Sequence, residues 1–171
     1  MITFLNGTLT DALPTQAVID VNGIGYEVLI PLSSFEKLPG LGQTVTLKTQ
    51  LVVREDSQTL YGFATDDERD LFKLIQSVSG IGPRLALNVL SGMSVVTFKG
   101  AIGACDVKLL SSINGVGKKT AERMVLELKD KVGVAVGAAT ALGQATAPRD
   151  KTIADAAAVR CVASQGARAT A

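Results

Sequence analysis

A short glycine motif occurs twice in this chain, and its spacing constrains the fold more than any other feature. The first copy reads Ser79-Gly80-Ile81-Gly82-Pro83-Arg84. The second copy begins thirty-five positions later and reads Asn114-Gly115-Val116-Gly117-Lys118-Lys119. Each copy follows one apolar helical stretch and precedes another. Because a Gly-x-Gly bend between two helices makes a hairpin, the two copies predict a tandem of helix-hairpin-helix units.

The start of the second helix in each hairpin is suited to bind an anion. The first N–H groups of a helix have no partner within the helix, and the helix dipole adds positive charge there. Glycine permits the positive φ and the close backbone approach that a phosphate needs. Pro83 lacks an N–H, but its fixed φ suits the first helical position. We therefore expect the backbone at Gly82 and Gly117 to bind phosphate without reading base sequence.

Basic side chains stand next to both bends. Arg123 lies four or five positions after the two lysines of the second bend, so the spacing places it near their helical face. A single Gly-x-Gly bend would more often be an ordinary helix ending, and surface lysines often only solvate a helix. The repetition favours phosphate binding. The candidate DNA-binding residues of the hairpins are Ser79, Gly80, Gly82, Arg84, Asn114, Gly115, Gly117, Lys118, Lys119 and Arg123.

The net charge of +1 conceals an uneven distribution along the chain. Residues 1–64 contain three basic and six acidic residues, a balance of −3. Residues 79–131 contain eight basic and four acidic residues, a balance of +4. Because nucleic acids attract positive charge, the face that binds DNA is expected in the middle of the chain.

The N-terminal third is rich in Val, Ile, Leu and Thr with alternating stretches, which favours strands. Asn22-Gly23 is typical of a tight type I′ hairpin, because both central residues of that turn need positive φ. Five short strands predict a closed barrel of the OB type, and the fold class is α+β. Aromatic residues on this barrel are few, and we expect them in its core. The strands are predicted at residues 2–10, 16–22, 24–30, 44–53 and 57–63.

Helices are predicted from Thr65 onward. Thr65 and Glu68 match a capping box, and the acids around Glu68 are better explained by helix capping than by metal binding. Glu127 and Lys131 are spaced as a supporting i,i+4 pair. Two apolar stripes at helical spacing predict the buried faces: Leu71, Leu74, Ile75 and Val78, then Ala121, Met124, Val125, Leu128 and Val132.

The chain is predicted to have four parts. A barrel occupies residues 1–64, and the tandem helix-hairpin-helix domain occupies residues 65–132. A flexible linker of small residues follows at 133–150. The last stretch, residues 151–171, has too few large aliphatic side chains to make a core.

No catalytic, metal or cofactor site is expected. The chain has no histidine and only two cysteines, so a zinc site lacks ligands. A P-loop requires glycine where this chain has Ser112, and Ser or Thr where it has Lys119, so ATP is expected on a partner instead. No run of about eighteen apolar residues suggests a membrane span, and a cytoplasmic location is expected.

Five short motifs follow one another along the chain: Leu-Val-Val-Arg-Glu-Asp at 51–56, Tyr-Gly-Phe at 61–63, Ser-Gly-Ile-Gly-Pro at 79–83, Leu-Ser-Gly-Met-Ser at 90–94 and Gly-Val-Gly-Lys-Lys-Thr-Ala-Glu-Arg at 115–123. Together they resemble the RuvA family of Holliday-junction branch-migration proteins over roughly residues 1–132. The resemblance implies a homotetramer, or a pair of tetramers, that holds a four-way DNA junction open and flat during recombination and repair. It also implies recruitment of the ring ATPase RuvB, with the resolvase RuvC as a further partner.

The resemblance assigns a role to the acidic pair Glu55 and Asp56, which spacing alone would leave as a solvated turn between two strands. In the family this pair is the acidic pin at the tetramer centre, where carboxylates repel phosphates and separate the strands. The neighbouring Arg54 is expected to attract phosphate. The family's third domain, which contacts RuvB, is not recognisable in residues 151–171. The alternative function is general single-strand or duplex DNA binding without junction selectivity.

Overall fold

The computed structural model describes the backbone of residues 1–138 and the side chains of residues 1–132. The chain divides into two compact units, Met1–Val132 and Gly133–Ala171. The first unit contains a closed barrel followed by a set of short helices. The predicted tail at 151–171 and most of the predicted linker lie outside the described residues.

Five strands form the closed barrel, in the order β1-β2-β3-β5-β4 around its wall. All neighbouring pairs are antiparallel except β3 and β5, which are parallel and meet at Leu29 and Tyr61. The single-turn helix α1, Leu32–Phe35, connects β3 to β4. The strands are β1 Phe4–Leu13, β2 Gln16–Val21, β3 Ile24–Leu29, β4 Thr44–Val53 and β5 Gln58–Phe63.

The predicted strands and the predicted hairpin turn are confirmed. Asn22 and Gly23 have φ of 54° and 85°, as a type I′ turn requires. β1 continues to Leu13, beyond its predicted end, because its first half pairs with β4 and its second half with β2. A register shift between Leu9 and Asp11 bends the strand between these two partners. The sequence missed α1, because a single helical turn shows no apolar periodicity.

Five helices follow the barrel within the described residues: α2 Asp66–Gln76, α3 Pro83–Gly92, α4 Val95–Gly103, α5 Val107–Ser111 and α6 Lys118–Ala138. Side-chain caps define where several of them begin. The Ser94 hydroxyl accepts from the N–H of Thr97 at 3.1 Å, and the Asp106 carboxylate accepts from the N–H of Leu109 at 3.0 Å. Side-chain caps therefore mark the starts of α2, α4 and α5, whereas α3 begins at Gly82 without one.

The two hairpins repeat their packing as well as their glycines. Positions thirty-five residues apart in the two copies are buried with similar side chains. This repetition places both copies around one shared apolar core. The matched buried pairs are Ile75 and Leu110, Val78 and Ile113, Ile81 and Val116, Ala86 and Ala121, and Val89 and Met124.

The barrel and the helices meet at a buried carboxylate. Glu68 is 3% exposed and accepts from Ser34 Oγ at 2.8 Å, Lys37 Nζ at 2.9 Å and the Ala64 N–H at 3.1 Å. Its partners come from α1, from the segment just after α1 and from the connection between β5 and α2. Beside it, the Phe72 ring contacts those of Tyr61 and Phe63 at centroid distances of 5.0 and 4.8 Å.

The capping prediction at Thr65 is confirmed for one of its two bonds. The Glu68 N–H donates to Thr65 Oγ1 at 3.3 Å, as in a capping box. The Glu68 side chain, however, accepts from Ala64 and the α1 region. Burial by itself would raise the pKa of the Glu68 carboxyl, but hydrogen bonds from Lys37 and Ser34 outweigh burial and hold that pKa below its ordinary value of 4.5.

The predicted linker starts too early. Residues 133–138 are the last part of α6, which continues to Ala138. Gly133 and Gly137 each cost a helix only about 1 kcal/mol relative to alanine, and valine and alanine stand between them, so a helix already under way can continue through both.

Within residues 1–138, no single helix has the length and apolar character needed to cross a membrane. Helices α3 and α4 reach that length and composition only when taken together, and they are bent by 99° where they join. Both helices bury apolar side chains in the shared core.

Candidate nucleic-acid interface

The two glycine bends have nearly the same backbone geometry. We call residues 79–82 the first turn and residues 114–117 the second turn. Gly80 and Gly115 have φ of 83° and 85°, a region that strongly favours glycine. In the first turn the Ile81 N–H donates to Val78 O at 3.1 Å, and in the second the Val116 N–H donates to Ile113 O at 3.0 Å. The predicted repeat of the turn is therefore confirmed at the backbone.

Gly82 and Gly117 lie at the helix starts with open space in front of them. Gly82 is extended and immediately precedes α3, and Gly117 precedes α6. In the described part of the chain, the N–H groups of both glycines donate to no other group. A Cβ atom built on either glycine would meet nothing within 4 Å. Each turn thus presents unpaired amide donors beside a space that an anion can enter.

Three basic side chains adjoin these amides. Arg84, Lys118 and Lys119 are all exposed. Lys118 lies 3.9 Å from Glu122 in a loose i,i+4 pair on the helix surface, which contributes little. Among the described residues, Arg84 and Lys119 form no ion pair. Their charges are available to a phosphate at either turn.

The structure places Arg123 at the first turn. The spacing predicted a position near the lysines of the second turn, but Arg123 Nη1 donates to Ser79 O at 2.9 Å. The Ser79 N–H in turn donates to Glu127 Oε2 at 3.3 Å. Side chains from α6 therefore hold the entry of the other hairpin, a contact that helical spacing within α6 could not reveal.

The predicted pair between Glu127 and Lys131 is wrong. Lys131 Nζ donates to Ser77 Oγ at 3.0 Å, whereas Glu127 accepts from Ser79. Both side chains reach across to the connection between α2 and α3. These surface bonds to the connection replace the bond along the helix, because the backbone N–H of Ser79 is close enough to donate to Glu127.

The predicted acidic tip lies at the connection between β4 and β5. Glu55 and Asp56 are exposed, and within the described residues neither forms an ion pair. The turn is closed by the Arg54 N–H, which donates to Ser57 O at 2.8 Å. Two carboxylates at an exposed hairpin end give a local negative charge that repels phosphate.

Arg54 and Arg84 both act on the hydroxyl of Tyr61. Burial raises the pKa of Tyr61, and the positive charges of Arg54 and Arg84 oppose that rise. Arg54 adjoins the acidic tip, and Arg84 adjoins the first turn.

The acids at the start of α2 are engaged with cations of the protein. Asp66 contacts Arg69 at 2.8 Å and Lys48 at 3.2 Å, and Asp70 contacts Arg69 at 3.5 Å. In residues 1–138, no group of three or more His, Cys, Asp and Glu side chains is placed to hold a metal ion.

Comparison with known proteins finds two matching regions, which correspond to the barrel and to the helical tandem. Residues 1–62 match the family described as RuvA N terminal domain, and residues 72–130 match the SAM-like Helix-hairpin-helix tandem. A Holliday junction branch migration complex subunit RuvA from Albidiferax ferrireducens is 51% identical over 142 residues, which cover 83% of this chain and 75% of that protein. The chain belongs to the RuvA family.

Two further members of the RuvA family bear out the extent of the match. The proteins of the same name from Opitutus terrae and Chromobacterium violaceum are 51% and 52% identical, over 149 and 132 residues. These matches cover 86% and 77% of this chain, and 73% and 67% of the two relatives. The predicted RuvA resemblance and the predicted α+β fold of barrel and helical tandem are confirmed.

Proposed function

We propose that this chain binds four-way DNA junctions independently of base sequence and serves as the DNA-binding subunit of a branch-migration complex. The observation that carries the proposal is the duplicated turn, in which Gly82 and Gly117 present unpaired amides to open space. Backbone amides and exposed basic side chains bind phosphates and read no bases. Family membership supports the junction as the specific target, because the relatives are named as branch migration complex subunits.

The acidic tip supplies the part of the proposal that separates a junction from plain duplex. Its two carboxylates, Glu55 and Asp56, repel phosphates, so DNA strands are expected to diverge around the tip while the turns bind the duplex arms. Arg54 adjoins the tip and Arg84 adjoins the first turn, so in this proposal both supply positive charge to a strand that passes nearby. In this proposal the turns attract the arms, and the tip keeps the crossover open.

The proposed assembly is a homotetramer, or two tetramers enclosing one junction, that works with the RuvB ATPase. Four acidic tips at the centre of a tetramer would give the crossover four equivalent exits, one per DNA arm. ATP is hydrolysed by RuvB in this scheme, RuvC is a further partner, and the complex acts in the cytoplasm on chromosomal DNA. Residues 151–171, where the RuvB contact would be sought, lie outside the described residues.

General single-strand binding is the less favoured function. Proteins that bind single strands on an OB barrel stack bases on exposed aromatic rings. On this barrel Tyr61 is 3% exposed and Phe63 is fully buried, and only Phe4, at 59%, is largely exposed. Tyr26 and Phe35 are partly buried against the barrel core. One exposed ring makes a poor platform for successive bases.

The turns are tested by filling the open space in front of them. Gly82→Val with Gly117→Val places a branched side chain there, and Gly82 is extended, a conformation that valine adopts readily. We expect the affinity for a synthetic four-way junction to fall by about tenfold or more per turn, because each turn loses charge-assisted hydrogen bonds. Fluorescence anisotropy with a labelled junction measures this loss.

A matched control comes from α4, where a Cβ at Gly100 or Gly103 also meets nothing within 4 Å. Gly100→Val with Gly103→Val should leave junction affinity unchanged. Competition with linear duplex and with oligo-dT decides selectivity. If either competitor displaces the junction at equal concentration, junction selectivity is disproved, and an unchanged affinity of the turn variant removes the turns from the mechanism.

The tip is tested separately with Glu55→Gln and Asp56→Asn, which remove charge but keep the shape of the side chains. Junction affinity should stay the same or rise severalfold, because repulsion between carboxylates and phosphates is lost. A 2-aminopurine base at the crossover should become less fluorescent, since the bases there would stack again. Weaker junction binding by this variant would contradict the proposed role of the tip.

A further inference from the structure

A stripe of three side chains on α6 holds the connection that enters the first turn. Arg123 donates to Ser79 O, Glu127 accepts from the Ser79 N–H, and Lys131 donates to Ser77 Oγ at 3.0 Å. The three residues are spaced by four and therefore share one face of the helix. Both backbone groups of Ser79 are thus satisfied by side chains from the other hairpin.

The second turn has no equivalent stripe. The residues thirty-five positions before Arg123, Glu127 and Lys131 are Asn88, Gly92 and Val96. The Asn88 amide nitrogen lies 3.7 Å from the Cβ position on Gly115, and Val96 is 81% exposed. The two turns share a backbone shape, but among the side chains described, residues 1–132, charged groups hold the backbone of the first turn and not that of the second.

The first turn needs this support, since its own donor set is poorer. Pro83 removes one amide that the second turn retains at Lys118. The carbonyl of Ser79 and the N–H of Gly80 belong to one planar peptide unit. A charged donor on that carbonyl fixes the orientation of the plane and polarises the N–H at its other end.

We propose that Arg123 is a positioning residue of the first turn, and that through Ser79 it orients the backbone amides with which that turn binds a DNA phosphate. The proposal rests on the proposed DNA-binding function. Arg123 belongs to the second hairpin but is assigned to the first turn. Substituting Arg123 and blocking the first turn should therefore remove the same interaction with DNA. Blocking the second turn should weaken binding independently of Arg123.

A double-mutant cycle tests this assignment by fluorescence anisotropy on a four-way junction. The variants are Arg123→Gln, Gly82→Val and Gly117→Val, alone and in the two combinations that include Arg123→Gln. We expect Arg123→Gln alone to weaken binding by about tenfold, as for a lost charged hydrogen bond. Added to Gly82→Val, it should cost less than about threefold more, whereas added to Gly117→Val it should cost its full tenfold.

Independence from Gly82→Val, or coupling to Gly117→Val instead, overturns the proposal. Arg123→Lys retains a donor for the Ser79 carbonyl and should recover most of the affinity; if it is as weak as Arg123→Gln, positioning through that bond is excluded. Lys108→Gln, which removes one exposed charge from α5, should cost little and controls for charge. Thermal unfolding of each variant verifies the fold.

The same double-mutant cycle on linear duplex distinguishes a failure of the proposed function from a failure of the proposed role of Arg123. If wild type fails to prefer a junction over duplex, the proposed function is wrong, yet the coupling between Arg123 and Gly82 can still be measured on duplex. If wild type prefers the junction but Arg123 and Gly82 are not coupled, only the positioning role of Arg123 is disproved.

Discussion

The first and second turns have the same backbone and different surroundings. Gly80 and Gly115 differ by 2° in φ, and Gly82 and Gly117, directly before the following helices, both face open space. Around the first turn lie the guanidinium of Arg123 and the carboxylate of Glu127. Around the second lie Leu85 and the neutral amide of Asn88. The duplicated motif therefore fixes the backbone shape of each turn, while different side chains surround the two turns.

In the proposed function, this difference means that two turns with similar sequences contribute to DNA binding in different ways. The second turn carries its own charges, Lys118 and Lys119, and retains all its amides. The first turn has a proline and one arginine, and takes further charge from α6. We infer that the second turn tolerates changes elsewhere in the protein, whereas the first depends on the packing of α6.

The largest expected effect comes from Glu68, and it should not distinguish the two turns. Glu68→Ala leaves Ser34 and Lys37 without their buried acceptor and the Ala64 N–H with Ser34 Oγ alone, and should lower the free energy of unfolding by about 3 kcal/mol. Urea denaturation measures this loss. Lys37→Ala, which removes a half-exposed partner, should cost clearly less.

In the folded Glu68→Ala variant, Gly82→Val and Gly117→Val should retain their wild-type effects on junction binding. A change in the ratio of these two effects would mean that the contact between barrel and helices at Glu68 supports DNA binding at one turn more than at the other. The difference between the turns would then not come from their own surroundings alone.

Alanine at the positive-φ glycines is expected to cost the next largest amount. Gly115→Ala should lower the free energy of unfolding by about 2 kcal/mol, since the new Cβ is strained and lies 3.1 Å from Leu85 Cδ1. Gly80→Ala should cost about 1 kcal/mol, because its neighbour at 3.3 Å is the movable end of Arg123. Thermal unfolding of the two variants checks the order. Equal costs would show that the surroundings of the two turns do not affect their stability.

Acid should weaken the contact between barrel and helices at Glu68 and should not distinguish the first turn from the second. The pKa of Glu68 is lowered in the folded state, so its stabilising effect is complete above 4.5 and is lost as the pH falls through the lower folded-state pKa. Stability measured at neutral pH and about one unit below 4.5 should fall more for wild type than for Glu68→Gln. An identical fall in both proteins would exclude Glu68 as the titrating group.

The smallest effects are expected from single surface charges. Lys118→Ala with Lys119→Ala should reduce the salt dependence of junction affinity about twice as much as Arg84→Ala, because about one counterion is released per phosphate contact. Affinity titrations at several salt concentrations give these slopes. Lys129→Ala, on α6 outside both turns, is the matched control and should leave the slope unchanged. Equal slopes for the two turn variants would contradict the stronger charge assigned to the second turn.

Much of the fold was predictable because it is encoded in local patterns. Asn22-Gly23, the paired Gly-x-Gly bends and the alternating strands each reflect the preferences of a few neighbouring residues. Spacing also placed Glu55 and Asp56 between two strands, and the family resemblance adds their expected role as the acidic pin. The contacts of Glu68, Arg123, Glu127 and Lys131 were not predictable, since their partners lie far away along the chain.

The sequence by itself determined two left-handed glycine bends, each opening a helix beside basic residues, because φ preferences and unpaired first-turn amides are local properties. Only the tertiary structure decided that α6 supports the first turn. A long charged side chain such as Arg123 has several partners within reach, and packing of the two hairpins around one core brought the Ser79 carbonyl closest.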